Sequence, residues 1–336
     1  MRVGALGALT VLLSACGGTA GPPPAAVQQA APPAPPARTS APPPDPAEHA
    51  ANELGDVPVL MYHRITDKPT TVYDRTPADF RAELLRLAKE KYVPVTTAEY
   101  AAGDIDIPAG THPVVLTFDD GHPSQFALTP QGEPVAGTAV AIMLEVAEQN
   151  PRFRPVASFY VNGDPFDDPG GKRTLKWLVD HDMEVGNHTL THSNLGNASP
   201  EAAQRDIARG DAAIRAAGVR ARTISLPFGI HPDRAELATK GSADGVAYDY
   251  IGALLVGANP APSPYSADFD PLRIPRIRSQ GPTGDEAAFG SSVWLDKLAA
   301  APKSRYTSDG VPDRIAYPRD TDRTVAANHK GKAHSY

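Results

Sequence analysis

Short apolar runs alternate along this chain with longer stretches whose apolar residues recur at helical spacing, and that alternation limits the fold more than composition does. Val57–His63 reads as a strand, and Pro77–Glu90 follows as a helix with Phe80, Leu84, Leu85 and Leu87 on helical spacing and Thr76 as its cap. Tyr92–Thr96 and Val114–Phe118 read as strands, and Thr138–Gln149 as a helix. A strand at Ala157–Val161, a helix at Thr174–Asp180, a short strand from Met183, a long helix at Pro200–Ala217 ending at Gly218 and a strand at Thr223–Leu226 continue the pattern. Two closing strands are expected at Ile251–Val256 and Leu272–Ile277. Repeated β-then-α units predict a parallel sheet with helices outside it. With 336 residues and 41% apolar content the chain can bury one large core or two small ones.

The ends of the chain differ in composition. Met1 to Ala15 carries one early positive charge, Arg2, then an apolar run from Val3 to Leu13 that is too short to span a bilayer, which reads as a secretory signal. Its close, Leu13-Ser14-Ala15-Cys16-Gly17, resembles a bacterial lipobox, and Cys16 is the only cysteine. Residues 1–16 are therefore expected to be a lipoprotein signal, with lipidated Cys16 attaching the protein to the outer side of the cell membrane. An ordinary cleaved signal with an incidental cysteine is the alternative. Residues 17–50, mostly Pro, Ala and Gly, read as an extended tether. The folded domain is expected over 51–318, and residues 319–336, polar and without periodicity, are expected to be a disordered tail. A net charge of −7 with no basic run gives no footprint for nucleic acid. Oligomeric state leaves no mark in the sequence.

Chemistry concentrates in two stretches. In Val114-Val115-Leu116-Thr117-Phe118-Asp119-Asp120-Gly121 a buried strand runs directly into two carboxylates and a glycine. Neighbouring strand residues face opposite ways, so Asp119 and Asp120 share a pocket only where the backbone turns, which Gly121 permits. Two close carboxylates in a partly buried site repel unless a cation lies between them or one keeps its proton, so the pair suggests a metal. The second stretch is Met183-Glu184-Val185-Gly186-Asn187-His188-Thr189-Leu190-Thr191-His192, a strand leading into two histidines four apart, a spacing that puts both rings on one side of a helical turn. One carboxylate and two neutral histidines make a three-ligand zinc site with a position left for water. Thr189 stands where a zincin would carry its glutamate, so the base comes from elsewhere and Asp119 is free to serve.

Thr117-Phe118-Asp119-Asp120-Gly121 and His188-Thr189-Leu190-Thr191-His192 resemble the first two motifs of the polysaccharide deacetylases, the NodB-homology or carbohydrate esterase family 4 enzymes. The resemblance implies a distorted (β/α) barrel of about seven parallel strands. It implies Asp119 as catalytic base, Asp120, His188 and His192 as ligands of one divalent metal (Zn2+, with Co2+ or Ni2+ as options), and the backbone N–H of Phe228 as an oxyanion donor. It also implies an N-acetylated cell-envelope glycan, of the peptidoglycan or poly-N-acetylglucosamine type, as substrate. Two departures stand out. The third motif, Arg-x-Pro-Tyr or Arg-x-Pro-Phe in the family, is Ser225-Leu226-Pro227-Phe228-Gly229 here, so the arginine that orients the base is missing. The late Leu-x-His that supplies the general acid is absent after His231, and His63, at the end of the first strand, is the substitute candidate, with a strand-end histidine bonded to backbone as the rival reading.

Arg273, Arg276 and Arg278 recur on a late strand, where one can reach Asp119, although a solvated strand face is the first expectation. His122, Asn187 and Asn194 read as loop and turn residues, with sugar contacts as the alternative for the asparagines. Tyr248, Tyr250 and Tyr265 are candidate sugar-stacking surfaces, and Trp294 is expected in the core. Three other functions fit parts of the pattern. An O-acetyl esterase would use the same site, a non-heme iron oxygenase would leave Asp119 without a task, and a weak glycan-binding lipoprotein would accommodate both departures.

Overall fold

The computed structural model describes residues 43–336, so Cys16 and most of the expected tether lie outside the described residues. Along the described chain, β1 (Val59–Tyr62), α1 (Pro77–Lys89), β2 (Tyr92–Val95), α2 (Thr97–Ala102) and β3 (His112–Phe118) come first. They are followed by α3 (Ala139–Gln149), β4 (Ser158–Val161), α4 (Thr174–Asp180), β5 (Glu184–Asn187), α5 (Pro200–Ala216) and β6 (Thr223–Ser225). An antiparallel pair, β7 (Lys240–Ala243) and β8 (Val246–Asp249), precedes β9 (Gly252–Leu254), β10 (Ile277–Arg278), α6 (Ser291–Ala300), β11 (Ile315–Tyr317) and β12 (Ala333–Ser335). Thr76, Thr138 and Ser199 cap α1, α3 and α5 with their hydroxyls, which satisfies backbone donors that the first helical turn leaves free.

The main sheet is parallel throughout and runs β10-β1-β3-β4-β5-β6-β9, with β2 added beside the first half of β3. Ile274 bridges Leu254 in parallel while β10, three residues on, pairs with β1, so the segment 271–278 joins the two ends of the path and closes a distorted barrel. This is the (β/α) barrel expected from the sequence.

Side-chain period sorts each strand. Leu60, Tyr62, Leu116, Phe118, Phe159 and Val161 pack outward against Phe80, Leu84, Met143 and Leu178 of the helices in one large core. Val59, Val115, Tyr160, Leu254 and Ile274 share a second core with the segments that close the amino end of the strands. Gly186 belongs to this inner face: a Cβ there would lie 2.2 Å from the Tyr160 ring, so the absent side chain lets tyrosine fill the interior. Continuing the same alternation to the carboxyl ends of the strands places His63, Asp119, His188, Ser225 and Arg276 at one mouth.

Residues 319–336 depart from expectation. They do not form a disordered tail: β12 pairs with β11, and the Tyr336 hydroxyl donates to Ala51 O at 2.8 Å. Polar composition hid a segment whose backbone bonds go to a neighbouring strand. The folded part also begins earlier than residue 51, with a turn of 3-10 helix at Pro46–His49 capped by Asp45.

Candidate active site

β3 delivers Asp119 to the mouth on the inner face, and the chain then turns at once: Asp120 and Gly121 have φ of 76° and 63°. That left-handed pair swings the Asp120 carboxylate to the same side as its neighbour. β5 delivers His188, and the residues after it form a loop rather than the helical turn expected from the four-residue spacing, with Thr189 and His192 at φ of 64° and 55°. Side chains pin this loop. Asn187 Oδ1 accepts from Thr189 N at 2.8 Å, its amide donates to Ile207 O and the Tyr250 hydroxyl, and Asp206 of α5 accepts from Thr191 and Ser193. Helix α5 comes this close because residue 210 is glycine; a Cβ there would meet Asn187 Oδ1 at 2.4 Å.

Asp120, His188 and His192 each offer a ligand atom, and the three atoms lie within 4.8 Å of one another. Asp120 Oδ1 is 3.5 Å from Nε2 of both histidines. His188 Nδ1 lies 2.7 Å from Ser225 O, and a carbonyl can only accept, so Nδ1 carries the proton and Nε2 the lone pair. That Nε2 is buried without a hydrogen-bond partner among the described residues. A buried lone pair facing a carboxylate and a second imidazole is the chemistry of a cation site, and these three residues fit a divalent metal. Asp119 lies just beyond, 4.0 Å from His188 Nε2.

Asp119 is 2% exposed, and Arg276, fully buried, holds it with both arms of its guanidinium: Nη1 to Oδ1 at 2.8 Å and Nη2 to Oδ2 at 2.7 Å. Arg276 is fixed in turn by Leu255 O and Thr117 Oγ1, and Ser225 Oγ adds a bond to Asp119 Oδ2 at 3.2 Å. Burial, the largest single influence, pushes the Asp119 carboxyl up, but the Arg276 charge and hydrogen bonds together with the charges of His188 and His63 outweigh it and hold Asp119 well below the usual carboxylate range. So the position left vacant by Ser225 is served from the last barrel strand, and the solvated face expected for Arg276 is corrected. The available signal was period 2: Ile274 and Arg276 share a face, and an inward arginine needs a buried carboxylate.

For His188, burial is opposed and outweighed by Asp119 and Asp120, which draw its proton affinity upward. Burial depresses His63, with Asp119 and Asp120 pulling the other way, so His63 is neutral at pH 7. Its ring lies 4.9 Å from the Tyr73 ring, and its Nδ1 is buried without a partner among the described residues. Phe228 sits in the turn after β6 at φ 60°, 57% exposed, with its ring 4.8 Å from His192. Gly229 and Ile230 donate back to Leu226 and Pro227 within that turn. Tyr248, Tyr250 and Tyr265 are buried, which removes them as sugar-stacking surfaces. Asn194 caps a 3-10 turn, and Trp294 packs on the core while its indole N–H donates to Ala258 O at 2.7 Å.

Residues 106–243 match the family model described as polysaccharide deacetylase. The chain is 30% identical over 142 residues to a chitooligosaccharide deacetylase of Bradyrhizobium sp. (strain ANU 289), a match covering 42% of this chain and 55% of that protein. It is also 30% identical over 143 residues to one of Rhizobium leguminosarum bv. phaseoli, again with 42% and 55% covered. It thus spans about half the length of these curated relatives. Among solved structures, a proposed polysaccharide deacetylase of Bacillus anthracis superposes with a TM-score of 0.51 at 21% identity over 71% of this chain and 69% of the other, a likeness of fold. Residues 106–243 are thus similar in sequence to the polysaccharide deacetylases, and the barrel built around them shares their fold.

Proposed function

We propose that this protein is a metal-dependent hydrolase that removes N-acetyl groups from an envelope glycan of the peptidoglycan or poly-N-acetylglucosamine type, working outside the cell from a lipid anchor at Cys16. The observation that carries the catalytic part is the unpartnered, buried Nε2 of His188, facing Asp120 and His192 and bordered by an arginine-clamped Asp119. Asp120, His188 and His192 would hold the cation, with Zn2+ suiting two imidazoles and one carboxylate and Co2+ or Ni2+ as replacements. Once bound, a divalent cation supplies Lewis acidity to a water and to the acetyl carbonyl.

The chain's own groups supply the rest. Asp119, kept ionised and immobile by Arg276, takes the proton from the attacking water. The Phe228 amide, held at a left-handed φ beside His192, donates to the oxygen that gains charge in the transition state. His63, neutral at rest, gives the departing nitrogen a proton that it first takes up from solvent, its affinity for that proton rising as negative charge collects at the centre.

Acetate release from N-acetylglucosamine oligomers and from peptidoglycan, with added Zn2+ or with chelator, tests this reading. Metal-dependent release is expected, and Asp119→Asn should lower it about 10²–10⁴-fold while metal stays bound. Release from acetyl esters alone would replace the N-deacetylase reading with an O-acetyl esterase. Tight glycan binding without any release would make the protein a lectin-like one.

A further inference from the structure

Beside the mouth lies a second hollow of about 380 Å³ whose lining includes Met61, Tyr73, Val256, Arg278, Glu286 and Phe289. It adjoins the reaction centre on two sides. Tyr73 packs against His63, and Val256 packs on Gly229, next to Phe228, so closely that a Cβ on that glycine would lie 2.3 Å from the Val256 backbone. Phe289, Val256 and Tyr73 are among the large apolar side chains most exposed to solvent, with Phe289 at 54%. An apolar rim continuous with a catalytic mouth fits a ligand that extends past the reacting group.

Polar groups in the hollow narrow the ligand. Arg278, on the same barrel segment as Arg276, is 9% exposed. It donates to Glu286 Oε2 at 2.9 Å and to Gln280 Oε1 at 2.6 Å, and its Nε is buried without a partner among the described residues. Its guanidinium carbon lies 5.6 Å from the centre of the Tyr73 ring. Arg278 and Glu286 cancel in charge, yet together they present donors and a solvent-facing acceptor beside two exposed aromatic rings. A pyranose has the matching surface: a face of C–H bonds for the rings and an equator of hydroxyls for the ion pair. A carboxylate-bearing sugar would meet Glu286 as a like charge.

The geometry points to this hollow as a subsite for an uncharged pyranose unit of the glycan, one that flanks the unit being deacetylated; this rests on the deacetylase reading above. Phe289 and the Arg278–Glu286 pair then set preference for longer, neutral chains while taking no part in the chemistry.

Rates of the full, Zn2+-loaded chain on the dimer and pentamer of β-1,4-N-acetylglucosamine, and on an oligomer whose alternate units carry a carboxylate, test it. Phe289→Ala is expected to raise KM for the pentamer about tenfold, a stacking contact's worth, with kcat and the dimer rates unchanged within about twofold. Glu286→Gln is expected to improve turnover of the carboxylate-bearing oligomer relative to the pentamer. Equal effects of Phe289→Ala on dimer and pentamer, no effect on either, or a wild-type preference for the carboxylate-bearing oligomer would each overturn the subsite. Calorimetric titration of the pentamer into Asp119→Asn, with and without Phe289→Ala, separates the two readings. Phe289-dependent binding with no hydrolysis in the wild type would sink the deacetylase and keep the subsite, and hydrolysis without Phe289 dependence would do the reverse.

Discussion

Two carboxylates lie buried at opposite ends of this barrel, and they are held in opposite states. Asp119, at the carboxyl end of β3, faces a guanidinium and stays ionised. Glu53, at the amino end, is 3% exposed and has only neutral donors: Ala316 N at 2.8 Å, the Tyr306 hydroxyl at 3.2 Å and weaker contacts from Ser308 and Asp309. The nearby cation, Arg314, is taken by Asp309. Burial, followed by the charge of Asp309, pushes the Glu53 carboxyl up to about 8, so it carries its proton at neutral pH. Depth of burial therefore does not decide ionisation here; a dedicated cation does. The closed end can use a neutral acid as a structural pin, whereas at the mouth a guanidinium keeps a buried carboxylate charged.

The contrast breaks most sharply if Arg276 is removed. Arg276→Gln leaves Asp119 buried and unpaired, and is expected to cost about 3–5 kcal/mol in denaturant unfolding and about 10²-fold or more in acetate release. Combining it with Asp119→Asn should restore part of that stability, with a coupling of about 1–3 kcal/mol in the double-mutant cycle; additive losses would mean that the pair is not a unit.

Next comes pH. Asp119 has a folded proton affinity below its ordinary 3.8, so its contribution is present above that value and is lost as pH falls below it. Glu53 runs the other way. Its folded form binds the proton up to about 8 and its unfolded form only to about 4.5, so its contribution is full below about 4.5 and fades as pH rises through about 8. The loss is about 3–5 kcal/mol over that window. Glu53→Gln, a neutral near-copy, is expected to change stability little at pH 5 and to flatten the decline toward pH 8, read as melting temperature against pH. An unchanged decline would place its origin elsewhere. The smallest effect is expected from Ser225→Ala, which removes one 3.2 Å bond to Asp119 and should cost about 0.5–1.5 kcal/mol while leaving Arg276 in place.

Much of the barrel was legible because its signals are local. The hydroxyl cap at Thr76, the period-2 strands and the Asp-Asp-Gly turn lie within a few residues of the structure they specify. The pair Asp244-Gly245 between β7 and β8 is such a signal too, a two-residue turn flanked by residues that pair. Helix α2 is only six residues long, and its capping box of Thr96 and Glu99 is the one mark it leaves. What could not be read locally was partnership across long sequence distances. Arg276 meets Asp119 157 residues away, and β12 finds β11 only in three dimensions. His63 was legible as a strand-end residue, but its Tyr73 neighbour and unpartnered Nδ1 were not.

The pairing of β12 with β11 also sets how the domain can be held. Tyr336 reaches Ala51, and Arg314 donates to Pro44 O at 2.7 Å, so the first and last described segments lie together at the pole opposite the mouth. A bead, surface or fusion partner joined after Tyr336 would grip the barrel by its base and leave the mouth pointing outward.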